Sequence, residues 1–203
     1  MLFKIILIAA FHFTVGFIDT AVVANPVESK KNYTSIHQEA KAFCKKQQFD
    51  ESYYFLVDLS LHSGKNRFFI YDFNQKKVVN HNLVTHGSCD GLSANDSKWE
   101  KATCSNANDS HCSAKGKYKI GRRDASSWGI KVKYWLHGME SSNSNAEKRV
   151  VVLHSWTAVA NQEIYPRYSP LSWGCPAVSD AFMELLDEKL QQSKKPVLLW
   201  IID

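Results

Sequence analysis

Val150-Val151-Val152-Leu153-His154-Ser155-Trp156 and Ser172-Trp173-Gly174-Cys175-Pro176-Ala177-Val178 are the two stretches on which the reading of this chain turns. The first is a β-branched apolar run that ends by delivering a histidine, as a buried strand would. The second places a cysteine 21 positions after that histidine, in a turn that contains a glycine. A thiol with a free pKa of about 8.5 is a weak nucleophile at neutral pH, so a catalytic cysteine needs a neighbouring imidazole to favour the thiolate. Gly174 would let backbone N–H groups converge on an oxyanion where a side chain could obstruct them. Taken singly, a cysteine and a histidine in an exported domain are more often half a disulfide and a core or surface histidine. The two stretches therefore have to be read with the rest of the chain.

Working outward, the segments on either side are β-rich. Tyr53 to Leu59 and Arg67 to Phe73 flank a Gly64-containing turn and predict a hairpin, and a third strand is expected from Lys77 to Val84. Strand character returns at Gly116 to Gly121, Gly129 to Tyr134 and Arg149 to Leu153, and Pro196 to Ile202 is an apolar closing strand. Ile36, Ala40 and Phe43 or Cys44 fall at helical spacing behind a Thr34 cap. Phe182, Leu185, Leu186 and Leu190 do so behind Ser179 or Asp180. Between Ser88 and Lys115 the chain is rich in Ser, Asn, Asp and Cys, the composition of a long functional loop. The expectation is a mainly β, α+β domain with one or two helices.

The 203 residues suit one catalytic domain rather than two. Met1-Leu2-Phe3-Lys4, the apolar run Ile5 to Ile18, and small residues up to Ala24 have the order of a secretory signal peptide. The alternative is an uncleaved single-span anchor, but Asp19 interrupts the run, which is shorter than an ordinary membrane span. This divides the chain into residues 1–24 as signal, 25–52 as a linker with a short helix, and 53–203 as the catalytic domain. Export to the periplasm or cell envelope follows. The formal charge of +5 suits an anionic polymer of the envelope but is also common among solvated surfaces, and no basic tract with interleaved aromatics argues for nucleic acid. In an oxidising compartment five cysteines leave at least one thiol free within the chain, or one bonded to another chain. Cys104 with Cys112, and Cys44 with Cys89, are candidate pairs that would leave Cys175 free, although other pairings are open.

Together, the strand-borne His154 and Ser-Trp-Gly-Cys-Pro resemble the L,D-transpeptidases of peptidoglycan, in the form of the murein L,D-transpeptidase catalytic domain. The resemblance extends through Thr85-His86-Gly87-Ser88, Ser105-Asn106, Gly116-Lys117-Tyr118, Leu136-His137-Gly138-Met139-Glu140 and Asn145-Ala146-Glu147-Lys148-Arg149, and so covers the chain from about Tyr53. It implies a sandwich or barrel-like β domain acting on peptidoglycan stem peptides without a cofactor. Cys175 would be the nucleophile and His154 its base, with Ser155 orienting the imidazole through its backbone carbonyl. That would make Ser155→Ala nearly silent. The oxyanion would be met by backbone N–H groups at Cys175 and Gly174, with Trp173 a further donor, and His86, Gly87 and Ser172 would line the substrate cleft.

Two positions depart from the family pattern. Ala177 stands where an Arg or Asn often follows the cysteine, so any substrate-holding role there must be met elsewhere or lost. Trp173 replaces a frequent histidine. Among blander readings, His86 could end a strand with its ring hydrogen-bonded, and His137 is better explained as structural. A zinc site from His86, His154 and Cys175 is conceivable, but the short paired spacing of zinc ligands is missing and no metal is expected. A carboxypeptidase using water as acceptor, or a domain that binds peptidoglycan without turning it over, are the alternatives. Oligomeric state is not legible in the pattern.

Overall fold

The computed structural model describes residues 31–92 and 97–203; the proposed signal segment lies outside them. Tyr33–Asp203 forms one compact unit. Its elements are α1 (Thr34–Gln47), β1 (Tyr53–Asp58), β2 (Phe68–Asp72), β3 (Lys77–Asn82), β4 (Gly116–Ala125), β5 (Val132–Gly138), β6 (Val152–Ser155), β7 (Ala177–Val178), α2 (Asp180–Gln192) and β8 (Leu198–Ile202), with a 3-10 turn at Ser141–Asn143. The eight strands join in one barrel-like sheet of order β3-β2-β1-β8-β4-β5-β6-β7. Two of its ladders, β1 with β8 and β6 with β7, are parallel. The expected β-rich class with two helices is what forms.

Period-two alternation divides the apolar side chains between the faces of this sheet. Phe55 and Val57 of β1, Leu199 and Ile201 of β8, Tyr118 and Ile120 of β4, Tyr134 and Leu136 of β5 and Leu153 of β6 share the main core. There they meet Phe182, Met183 and Leu186 of α2. On the opposite face Tyr54, Leu56, Leu198 and Trp200 form a second cluster under Ala40 and Cys44 of α1. Lys117 fastens α1 there: its ammonium meets Glu39 at 2.8 Å and Glu140 at 3.0 Å and lies 3.9 Å from the Trp200 ring centroid.

Several boundaries differ from expectation. Tyr33, not Thr34, is the N-cap position of α1, whereas Ser179 caps α2 as expected and accepts from the Phe182 N–H at 3.2 Å. β6 begins at Val152, because Val150 takes φ +53 and faces solvent. β5 starts later and runs further than expected, to Gly138. β7 is only two residues long and had no sequence signature.

The cysteine pairing is also corrected. The bond joins Cys89 to Cys112. Cys44, on the inward side of α1, is buried against the face of the sheet away from the main core. Cys104 is bridged by backbone to Ser113 and stays a thiol. The 88–115 segment has no named strand or helix among its described residues, and the disulfide joins its two ends.

Candidate active site

Alternation along β6 decides where His154 points: Leu153 enters the main core, so His154 takes the other face. It lines a cavity of about 370 Å³ together with Cys175, Ser172, Trp173, Leu171, Trp128 and Trp156. The His154 Nδ1–H donates to the Ser155 carbonyl at 2.9 Å. A carbonyl can only accept, so the proton sits on Nδ1 and Nε2 keeps its lone pair. Burial lowers the imidazole pKa, Lys133 lowers it further, and the Ser155 carbonyl works in the opposite direction.

Cys175 is a free thiol at the end of a tightly held turn. Its Sγ lies 3.5 Å from the Val152 N–H and 3.6 Å from the Val150 carbonyl. Burial pushes the thiol pKa up, while the Val152 N–H, Arg149 and Lys133 pull it down. The carbonyl of Cys175 accepts from Ser172 Oγ at 2.7 Å and from Thr85 Oγ1 at 3.1 Å. The Thr85 hydroxyl in turn accepts the Ala177 N–H at 3.0 Å. Thr85 is thus a positioning residue that sequence reasoning passed over, although Thr-His-Gly-Ser was the clue to its neighbourhood.

The other expected residues make contacts of their own. The Gly174 N–H is donated to Ser172 Oγ at 3.2 Å, so this amide is already engaged. Trp173 is 73% exposed and stacks on His111 with ring centroids 4.8 Å apart. The Ser155 hydroxyl is not idle: it accepts the Ile130 N–H at 2.9 Å in a fully buried position.

His86 and Gly87 do not line the cavity. His86 is 1% exposed; Arg67 donates to its Nδ1 at 2.7 Å and its Nε2–H donates to the Lys98 carbonyl at 2.6 Å. Burial and the Arg67 charge push its pKa down to about 4, so it is a neutral structural histidine. With both ring nitrogens used it cannot join His154 and Cys175 around a zinc ion. Among the described residues no group of three His, Cys, Asp or Glu side chains is arranged to hold a metal. Gly87 is a joint between loops, bridging Ser172 and donating its N–H to Ser113 Oγ at 3.1 Å. His137 pairs with Glu147 at 2.7 Å.

Residues brought in from elsewhere complete the site. Arg149 donates to the Ser105 carbonyl at 3.0 Å and to the Cys112 carbonyl, tying the 88–115 segment against Gly174. Trp128 and Trp156 meet edge to face with centroids 5.8 Å apart and supply the apolar wall. The site thus has an activatable thiol, a base-competent imidazole and an aromatic lining.

No curated protein matches this sequence. Among solved structures, the chain is similar to the helical cell shape determining protein Pgp2 of Campylobacter jejuni, at 12% identity and TM-score 0.44, over 79% of this chain and 54% of that one. It is also similar to the L,D-transpeptidase of Xylanimonas cellulosilytica, at 11% identity and TM-score 0.42, over 79% and 68%. A third is Bd1075 of Bdellovibrio bacteriovorus, at 14% identity and TM-score 0.46, over 77% and 49%. The chain therefore spans only about half the length of two of these three. The family pattern described as the L,D-transpeptidase catalytic domain matches residues 27–200, nearly the whole chain. With that match spanning both halves of the site, the chain belongs to the L,D-transpeptidase catalytic-domain family.

Proposed function

We propose that this domain is a peptidoglycan L,D-transpeptidase that works through a thioester on Cys175. The observation that carries the reading is the shared cavity of a free Cys175 thiol and a His154 whose Nε2 is unprotonated. His154 Nε2 takes the S–H proton as the sulfur attacks the carbonyl of the diamino acid in a tetrapeptide stem. The tetrahedral oxyanion is met by the Cys175 N–H, since the Gly174 amide is bound to Ser172. Collapse breaks the C–N bond. The imidazolium returns its proton to the leaving nitrogen, and D-alanine departs. An amine of a neighbouring stem then attacks the thioester, gives its proton to His154 and restores the thiol.

Three tryptophans and Leu171 around the cavity support an amine acceptor over bulk water, because apolar walls favour a docked stem and exclude solvent. The Cys89–Cys112 bond supports export, since such bonds persist in oxidising compartments. The test is incubation of the protein, and of Cys175→Ala, with purified muropeptides. Wild type should release D-alanine and form crosslinked dimers, and Cys175→Ala should do neither. Tripeptide product without dimers would reassign the activity to an L,D-carboxypeptidase. Release of D-alanine by both proteins would remove Cys175 from the mechanism.

A further inference from the structure

Resting on that reading, we propose that Lys133 recognises the substrate by its anionic end, the carboxylate of the D-amino acid that leaves. In the antiparallel ladder of β5 and β6, Lys133 stands directly opposite His154. Directly opposed residues project from the same face, so the lysine and the imidazole share the outer face while Val132 and Tyr134 turn into the main core. Adjacent strands lie about 4.8 Å apart. In the substrate, only a nitrogen and one carbon separate the attacked carbonyl from the terminal carboxylate. A stem seated with that carbonyl at Cys175 and His154 therefore brings its carboxylate within the sweep of a lysine one strand away.

The charges around the pair favour such an occupant. Lys133 and Arg149 are the charged side chains whose fields reach the Cys175 thiol, and both are cations. Arg149 is committed to the carbonyls of Ser105 and Cys112. Lys131 is tied to the Ser127 carbonyl at 2.8 Å. Asp124, opposite Lys133 in β4, is already satisfied by Arg122 at 3.2 Å, the Trp135 indole N–H at 3.0 Å and the Ala125 N–H at 2.8 Å. Lys133 itself makes no ion pair within 4.0 Å among the described residues, and its ammonium lies 5.5 Å from the Trp135 ring centroid. Among the described residues Lys133 is thus a cation beside His154 that makes no ion pair, although its charge also acts on Asp124 across the ladder.

The experiment measures binding separately from turnover. In the Cys175→Ala background, calorimetry compares a tetrapeptide stem ending in D-alanine with the same peptide ending in D-alanine carboxamide. A charge-assisted hydrogen bond is worth about 1.5–3 kcal/mol, so the free carboxylate should bind about 10- to 150-fold more tightly. Adding Lys133→Ala or Lys133→Gln should bring the ratio close to one, and Lys133→Arg should restore most of it, with circular dichroism confirming that each variant is folded. Equal binding of the two peptides before Lys133 is changed, or a ratio that survives its removal, would overturn the assignment. The ratio is read without catalysis. A discriminating Lys133 in a wild-type protein that releases no D-alanine would defeat the proposed reaction and leave the recognition standing.

Discussion

Burial acts on the two candidate groups in opposite directions, lowering the His154 pKa and raising that of Cys175. Each shift disfavours a charged form, so the two groups rest as neutral imidazole and neutral thiol rather than as an ion pair. The acid limb of kcat/KM, set by the free enzyme's base, should lie below about 6.5. Alkylation of Cys175 by iodoacetamide should still be accelerating above about pH 8.5, the ordinary thiol value. An alkylation rate already flat at pH 6 would mean a preformed thiolate and would contradict this resting state. At Ser155 the sequence reading found the backbone carbonyl and missed the hydroxyl, whose partner Ile130 lies 25 residues away and cannot be seen in a local motif. Ser155→Ala leaves the Ile130 N–H unsatisfied in the interior, at a cost of about 1–3 kcal/mol. Urea denaturation should report that loss while the acid limb of the pH profile stays in place. His86 illustrates the same limit. Its motif was visible, but Arg67, which fills one side of its ring, comes from a different strand end.

At the scale of elements, the turn bearing Cys175 runs between Leu171 and β7 and is held by the hydroxyls of Thr85 and Ser172. Gly174 carries φ +101, and a Cβ built there would stand 2.5 Å from the Cys112 carbonyl oxygen. Both facts oppose any side chain: the backbone conformation strains an L-residue, and the obstacle is main chain rather than a yielding side-chain tip. Gly174→Ala should cost about 1–3 kcal/mol of stability. It should also depress kcat more than the same loss placed elsewhere, because relief requires the turn bearing Cys175 to move. Stability measured by thermal denaturation, set against single-turnover rates, separates the two effects. If kcat is retained, the turn is not held in its productive form by Gly174. The long strands and both helices were legible because apolar periodicity extends over enough residues to be counted, as in β1 and α2. The two residues of β7 have no countable period, and β7 forms only because β6 offers an edge for it.

Across the whole molecule, the disulfide does more than close a loop. Cys112 offers its carbonyl to Arg149 and lies against Gly174, while His111 beside it stacks on Trp173. Cys89→Ser removes a closure over a sequence separation of 23 and should lower stability by about 2–4 kcal/mol. Urea midpoints with and without dithiothreitol check this: wild type should shift on reduction and Cys89→Ser should not. Equal midpoints for reduced and oxidised wild type would show that the bond carries no stability.

By itself, the sequence determined the β-rich class and the positions of both helices, and it offered His154 and Cys175 as candidates that the fold brings to one cavity, because periodicity and a contiguous motif are local quantities. Only the tertiary structure decided which cysteines bond, since α1 buries Cys44 on the far face while loop closure brings Cys89 to Cys112. It also decided that His86 is interior and that Thr85 and Arg149 support the turn. It placed Lys133 beside His154 as well. Register between strands and contacts between distant loops are set by the packing of the whole sheet, and no single stretch of chain encodes them.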